Sequence, residues 1–202
     1  MNSAVSYLPN NIVRGELVEP PTLDSMPFDK LRANGMIEMD RVYPLPNFEA
    51  KFCDANNLSA QLANLPRPLV FTNGCFDVLH RGHVTYLEQA HALGASLVVG
   101  VNSDASVKRQ GKGDDRPINA EQDRMAVLAA LESVSLVVLF DEDTPLNLIL
   151  ACKPDVLVKG GDWKPENIIG SKEVQGWGGS VHSIPFLYER STTALLKKIR
   201  SP

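Results

Sequence analysis

Little in this 202-residue chain suits cross-linking, membrane insertion or binding to polyanions. Cysteine is scarce: Cys53, Cys75 and Cys152 are an odd number with no C-x-x-C spacing. That excludes a disulfide framework and fits free thiols in a reducing compartment, so a cytoplasmic location is expected. No run of about eighteen apolar residues occurs, so neither a transmembrane helix nor a membrane partner is expected. The N-terminus lacks the basic and apolar regions of a secretory signal. A basic excess is missing too, and the net charge of −4 argues against nucleic acid as the main partner. The four histidines have no cysteine neighbours with zinc-ligand spacing, and no metal-binding residue is assigned. No nucleophile elbow and no Ser-His-Asp pattern stands out, as expected where the nucleophile arrives already ionised.

What remains is a chain with 44% apolar and 22% charged residues, long enough for one full domain and too short for two large ones. Residues 1–66 differ from the rest. The first 35 hold Pro9, Pro20, Pro21 and Pro27 and no sustained period of 2 or 3.6. Residues 14–35 look like a translated dispersed DNA repeat, which would make Met36 or Met39 the true start. Residues 1–39 are therefore expected to be a disordered extension, 40–66 a short N-terminal segment with a helix around 55–64, and 67–202 the functional domain.

From Leu69 onward strands and helices alternate with short connections, which argues for a parallel sheet with crossover helices. The strand candidates are 69–72, 97–102, 136–140, 156–159 and 181–184. A helix over 84–93 carries Val84, Leu87, Ala90 and Leu93 on one side and stops at Gly94. The next begins at Asn119, with Gln122 placed to complete a capping box, and runs to about Glu132. Thr144 and Pro145 read as N-cap and N1 of a further helix closed by Pro154, and a last helix starts at Ser191. Right-handed crossovers turn these units into an α/β fold, a Rossmann-like doubly wound parallel sheet of about five strands. Ligands in such sheets bind beyond the carboxyl ends of the strands, where Thr72–Asp77, Asn102–Asp104 and Lys159–Trp163 converge.

One stretch stands out on this rim: Thr72-Asn73-Gly74-Cys75-Phe76-Asp77-Val78-Leu79-His80-Arg81-Gly82-His83. A strand, a small Asn-Gly turn and a helix N-terminus make an anion site, because first-turn N–H groups and the helix dipole both favour negative charge. Two imidazoles flanking Gly82 would sit over the same anion, and Gly82 permits close backbone approach. His91 and His182 read as packing or surface residues.

The segment resembles the HxGH signature of the nucleotidyltransferase superfamily, which shares its Rossmann-like core with class I tRNA synthetases. Its continuation is similar to the D-glycero-β-D-manno-heptose 1-phosphate adenylyltransferases. The resemblance rests on Thr72–Asp77, His80–His83, Val101-Asn102-Ser103-Asp104-Ala105-Ser106-Val107, Arg116-Pro117, Asp123-Arg124, Phe140-Asp141-Glu142-Asp143-Thr144-Pro145, Pro154-Asp155-Val156-Leu157-Val158-Lys159-Gly160-Gly161-Asp162 and Ser191-Thr192-Thr193. HxGH marks only the superfamily, whereas the later stretches point to the heptose branch.

The resemblance implies adenylyl transfer from ATP to heptose 1-phosphate, giving ADP-heptose and pyrophosphate for lipopolysaccharide core synthesis. The alternative is a glycerol-3-phosphate cytidylyltransferase-like enzyme using CTP. A sugar phosphate is ionised at neutral pH, so the site needs positioning and positive charge rather than a base. His80 and His83 would contact the triphosphate as catalytic residues, with His83 nearest the α-phosphate. Asn73, Gly74, Cys75, Phe76 and Gly82 would line the nucleotide, although Cys75 also reads as a small packing residue.

Ser191, Thr192 and Thr193 would form the second phosphate motif at a helix N-terminus. In cytidylyltransferase relatives an Arg lies five residues before that Ser, where this chain has Phe186, and Arg190 precedes the Ser directly. Lys108, Arg109, Lys112 and Arg116 fall in a basic loop over 107–117 that would close on the triphosphate. The loop is longer than the usual family form, so the aligned catalytic lysine is either Lys108 or Lys112, with Lys108 also facing substrate. Arg124 matches a phosphate-binding Arg or forms a helix salt bridge. Asp77 would orient the histidine loop or approach the sugar phosphate's metal, and Asp104 would meet sugar hydroxyls. Lys159, Gly160 and Asp162 would line the base pocket, with Trp163 stacking on the base or covering the sheet end. Mg²⁺ is expected to accompany ATP. The further partners implied are a separate upstream heptose kinase and a second copy of the chain in a homo-oligomer.

Overall fold

A computed structural model describes residues 46–54, 56–111, 115–188 and 192–200. Its centre is a parallel sheet of six strands rather than five: β1 (Phe52–Cys53), β2 (Leu69–Gly74), β3 (Ser96–Asn102), β4 (Leu136–Phe140), β5 (Val156–Gly160) and β6 (Ser180–Ile184). The spatial order is β1-β4-β3-β2-β5-β6. The extra strand, β1, is a two-residue edge piece paired with Val137 and Val138 of β4, too short to leave an alternating pattern in the sequence. The expected extension 1–39, Lys112 and Ser191 lie outside the described residues.

The helices are α1 (Leu58–Ala63), α2 (Arg81–His91), α3 (Asp104–Arg109), α4 (Glu121–Ala129), α5 (Leu146–Cys152), α6 (Ser171–Gly176) and α7 (Thr192–Arg200). Both sheet faces are covered, which explains why the central strands are near-continuous apolar runs. Alternate residues serve opposite layers. Val70, Val99, Val101, Val137 and Val158 pack with Tyr86, Leu87 and Ala90 of α2 and Met125 and Leu128 of α4. Leu69, Phe71, Val98, Val138 and Leu157 pack with Leu58 of α1, Leu148 and Ile149 of α5 and Val174 of α6. All three cysteines are buried, and none forms a disulfide among the described residues.

Several local expectations are corrected. α2 starts at Arg81, three residues early, with His80 as its N-cap and His83 inside the first turn. α3 was not expected; Ser103 caps it by accepting from the Ser106 amide at 3.0 Å, so Lys108 and Arg109 sit on a helix rather than in a loop. The Asn119–Gln122 capping box does not form: α4 is preceded by Ala120 and ends at Ala129, and the Asn119 amide donates instead to Asp77. Pro145 is the N-cap of α5 rather than its first residue. Gly94 does more than end α2. A Cβ there would lie 2.4 Å from the Pro68 carbonyl oxygen, so the chain passes too close to β2 for any side chain.

The strand order positions the site. From β2 the chain moves outward through β3 to β4, then returns to β5 on the opposite side of β2 and on to β6. The crevice therefore opens at the carboxyl ends of β2 and β5, as in other doubly wound sheets.

Candidate active site

The loop leaving β2 is held in unusual backbone conformations. Phe76 and Val78 have φ values of +46° and +56°, a region costly for a β-branched residue such as Val. Surrounding contacts impose it. Asp77, only 1% exposed, accepts from the Ile118 and Asn119 amides at 2.9–3.0 Å and from Nε of Arg116. On the other side Thr192, at the start of α7, donates its hydroxyl to the Val78 carbonyl at 3.4 Å. Asp77 thus ties the loop after β2 to the segment before α4, and its carboxylate is saturated by protein donors.

That loop delivers the histidines. The His80 carbonyl accepts the His83 amide at 2.9 Å and opens α2. The two rings stack with centroids 3.9 Å apart and 16° between planes. Phe76 meets His83 edge-on at 5.6 Å. A Cβ on Gly82 would stand 3.1 Å from the His80 ring, so the glycine leaves room for the stack. Burial, then the neighbouring His80, lowers the His83 pKa to about 4. His83 is therefore neutral at pH 7. Its Nδ1 is buried and makes no hydrogen bond among the described residues, an unsatisfied group that a bound oxygen ligand would complete. Because the folded value lies below the unfolded one, this ring costs no stability above about pH 6.5 and destabilises the fold as pH falls from there toward 4.

The opposite wall comes from β5 and the segment after β6. Lys159 reaches across the switch point, donating to the Asn73 carbonyl and Oδ1 at 3.3 and 3.2 Å. Tyr86 of α2 shares a 2.5 Å hydrogen bond with Thr72, and burial pushes its phenol above the usual range. Phe186 covers Gly160 so closely that a Cβ there would be 2.7 Å from the ring. Trp163 is half exposed beside Gly161, with its amide donating to Ser183 at 3.0 Å.

The cleft brings together Asn73, Gly74, Cys75, Phe76, Asp77, His83, Lys159, Gly160 and Thr192, all singled out in the sequence. It also brings in Arg116, expected in the basic loop, and Tyr86 and Phe186, which sequence reasoning did not assign to the site. Arg116 had a signal, since Arg116-Pro117 is among the matching stretches. Tyr86 and Phe186 had none beyond ordinary aromatic packing.

Other expected residues stand elsewhere. Arg124 is not a phosphate ligand: its wholly buried guanidinium donates to the carbonyls of Asn119 (3.1 Å), Cys75 (2.6 Å) and Asn102 (2.7 Å) and to Asp104 (2.8 Å). Asp104 is correspondingly engaged as its counter-ion rather than turned to a sugar. Arg109 pairs with Asp143 at 2.7 Å and Asp141 at 3.5 Å, fastening α3 to the loop after β4. Lys108 and Asp162 are exposed and, with Trp163 and Thr193, outside the cleft lining.

A cytidylyltransferase-like family model matches residues 71–201. The chain is 58% identical over 155 residues to a D-beta-D-heptose 1-phosphate adenylyltransferase of Bordetella bronchiseptica, covering 76% of this chain and 96% of that protein. It is 50% identical over 161 residues to a bifunctional protein HldE of Nitratiruptor sp., covering 80% of this chain and 34% of the longer protein. Among solved structures, a pantoate-beta-alanine ligase of Francisella tularensis superposes with a TM-score of 0.51 at 14% identity, over 70% of this chain and 68% of that one, a likeness of fold alone. The chain belongs to the cytidylyltransferase-like nucleotidyltransferase family, on the branch of the D-beta-D-heptose 1-phosphate adenylyltransferases.

Proposed function

We propose that this chain transfers the adenylyl group of ATP to D-glycero-β-D-manno-heptose 1-phosphate, forming ADP-heptose for lipopolysaccharide core assembly and releasing pyrophosphate. The observation that carries the reading is the 58% identity over 96% of a relative named for this activity. The cleft supports it, with a neutral buried imidazole at a helix N-terminus on the rim of β2 and β5.

In the reaction an oxygen of the sugar phosphate attacks the α-phosphorus, and the bond from that phosphorus to the bridging oxygen of pyrophosphate breaks. The nucleophile is already ionised, so no side chain has to take a proton from it. His83 donates an N–H to the α-phosphate, whose charge grows in the transition state, and the His80 stack keeps that ring in place. The start of α7, fixed by the Thr192 hydroxyl on Val78, turns its helix N–H groups to the terminal phosphates. Lys159 holds the carboxyl ends of β2 and β5 together, and Gly160 with Phe186 offers a flat wall to the base.

Mg²⁺, bound together with the triphosphate, would supply charge screening at the phosphates. The donor set fits an ion held mainly by phosphate and water, since Asp77 is saturated and no cluster of three ligating side chains occurs among the described residues. No helix of the described residues is long and apolar enough to cross a membrane. The phosphorylated acceptor has to come from a sugar kinase.

Pyrophosphate release with ATP or CTP, each paired with heptose 1-phosphate or glycerol 3-phosphate, tests the assignment. ATP with heptose 1-phosphate is expected to be fastest. Faster turnover of CTP with glycerol 3-phosphate would overturn it.

A further inference from the structure

We infer that Arg116 holds the phosphate of the sugar acceptor and that Asp77 positions it, an assignment resting on the adenylyl-transfer reading above. Arg116 precedes α4, far in sequence from the histidine motif, yet its side chain lines the same cleft. The residue is 8% exposed, so it is a buried charge rather than a surface one. Asp77, beneath it, takes the guanidinium through Nε alone. The two Nη groups make no hydrogen bond among the described residues. A planar fork gripped at one edge leaves its other donors free for two oxygens of one phosphate. Because the Ile118 and Asn119 amides pin Asp77, the plane of the fork is fixed before any ligand arrives.

Position separates the acceptor from the triphosphate. Lys159, Gly160 and Phe186 form the β5–β6 wall, where a flat base fits against glycine backbone and an aromatic ring. His83 and Thr192 sit at two helix N-termini between the walls, suited to the phosphate chain. Arg116 stands on the remaining side, beside Asp77 and next to α4, which packs on β3 and β4. In-line displacement requires the attacking phosphate to approach from the side opposite the departing pyrophosphate. Two permanent cations line the cleft among the described residues, Arg116 and Lys159, and the ammonium of Lys159 is engaged by Asn73. That leaves Arg116 to meet the dianionic acceptor.

Steady-state kinetics of wild type, Arg116→Gln and Arg116→Lys, varying each substrate in turn, tests this. For Arg116→Gln the KM for heptose 1-phosphate is expected to rise roughly 10- to 100-fold while the KM for ATP stays within about twofold, the signature of lost acceptor binding. Arg116→Lys keeps a cation opposite Asp77, so it retains the fold even where the Gln variant does not. It loses the fork, and the acceptor KM alone is expected to rise by roughly five- to tenfold. An equal rise in the KM for ATP, or unchanged acceptor KM in both variants, would overturn the assignment. Absence of turnover by the wild type with this substrate pair would overturn the reaction itself, and the Arg116 role with it.

Discussion

His83→Ala is expected to lower kcat for pyrophosphate release by about 10²–10³-fold, the usual consequence of removing one preorganised donor to a charge that develops in the transition state. The ring is held before substrate arrives. His80 stacks on one side at 3.9 Å and Phe76 closes on it edge-on, so reaction costs it little reorganisation. The depressed pKa matters as well. A neutral ring donates only one N–H, and bound triphosphate favours the imidazolium by placing negative charge beside it. The His83 resonance is therefore expected to titrate near 4 in the free protein and at higher pH with a non-hydrolysable ATP analogue. Binding should accordingly take up a proton between those values. NMR titration of both states checks it, and an unchanged pKa on binding would place the triphosphate elsewhere. If His83→Ala turned over at the wild-type rate, the ring would have no part in the chemistry.

Arg124→Ala is expected to cost stability rather than acceptor or nucleotide affinity, by about 3–5 kcal/mol, the range for breaking a buried ion pair and leaving its partners unsatisfied. The guanidinium gathers carbonyls from the loop after β2, the end of β3 and the turn before α4, together with the Asp104 carboxylate. At a residue 1% exposed, the truncation leaves these acceptors buried without their donors. A lowering of the midpoint temperature on the order of 10 °C should be seen by calorimetry. Preserved stability with a raised KM for ATP would instead restore the phosphate-binding reading of Arg124.

These two residues show where the sequence was informative. The apolar runs of β2 to β6 and the strand–turn–helix order around His80 are local features, and they suffice to read the parallel sheet and the rim at the carboxyl ends of its strands. Arg124 is different, because its partners Cys75, Asn102, Asp104 and Asn119 come from separate segments that only the sheet assembles. One turn into a helix, a phosphate ligand and a buried strut look alike. α3 was missed because the six residues DASVKR carry no apolar stripe and its cap, Ser103, follows a strand directly. Tyr86 and Phe186 entered the cleft through topology, since β5 returns beside β2 and brings Gly160 under both rings. The Arg116–Asp77 pair joins residues 39 positions apart, which no periodicity reveals.

The central claim is that the site works by placing an ionised sugar phosphate against the α-phosphorus, with no side chain forming a bond to it. The stereochemical course at that phosphorus tests this most directly, using an ATP analogue made chiral there by sulfur substitution and reading the configuration of the ADP-heptose product. A single in-line displacement gives inversion, which is the expected result. Retention would require two displacements through an adenylylated residue and would contradict the account.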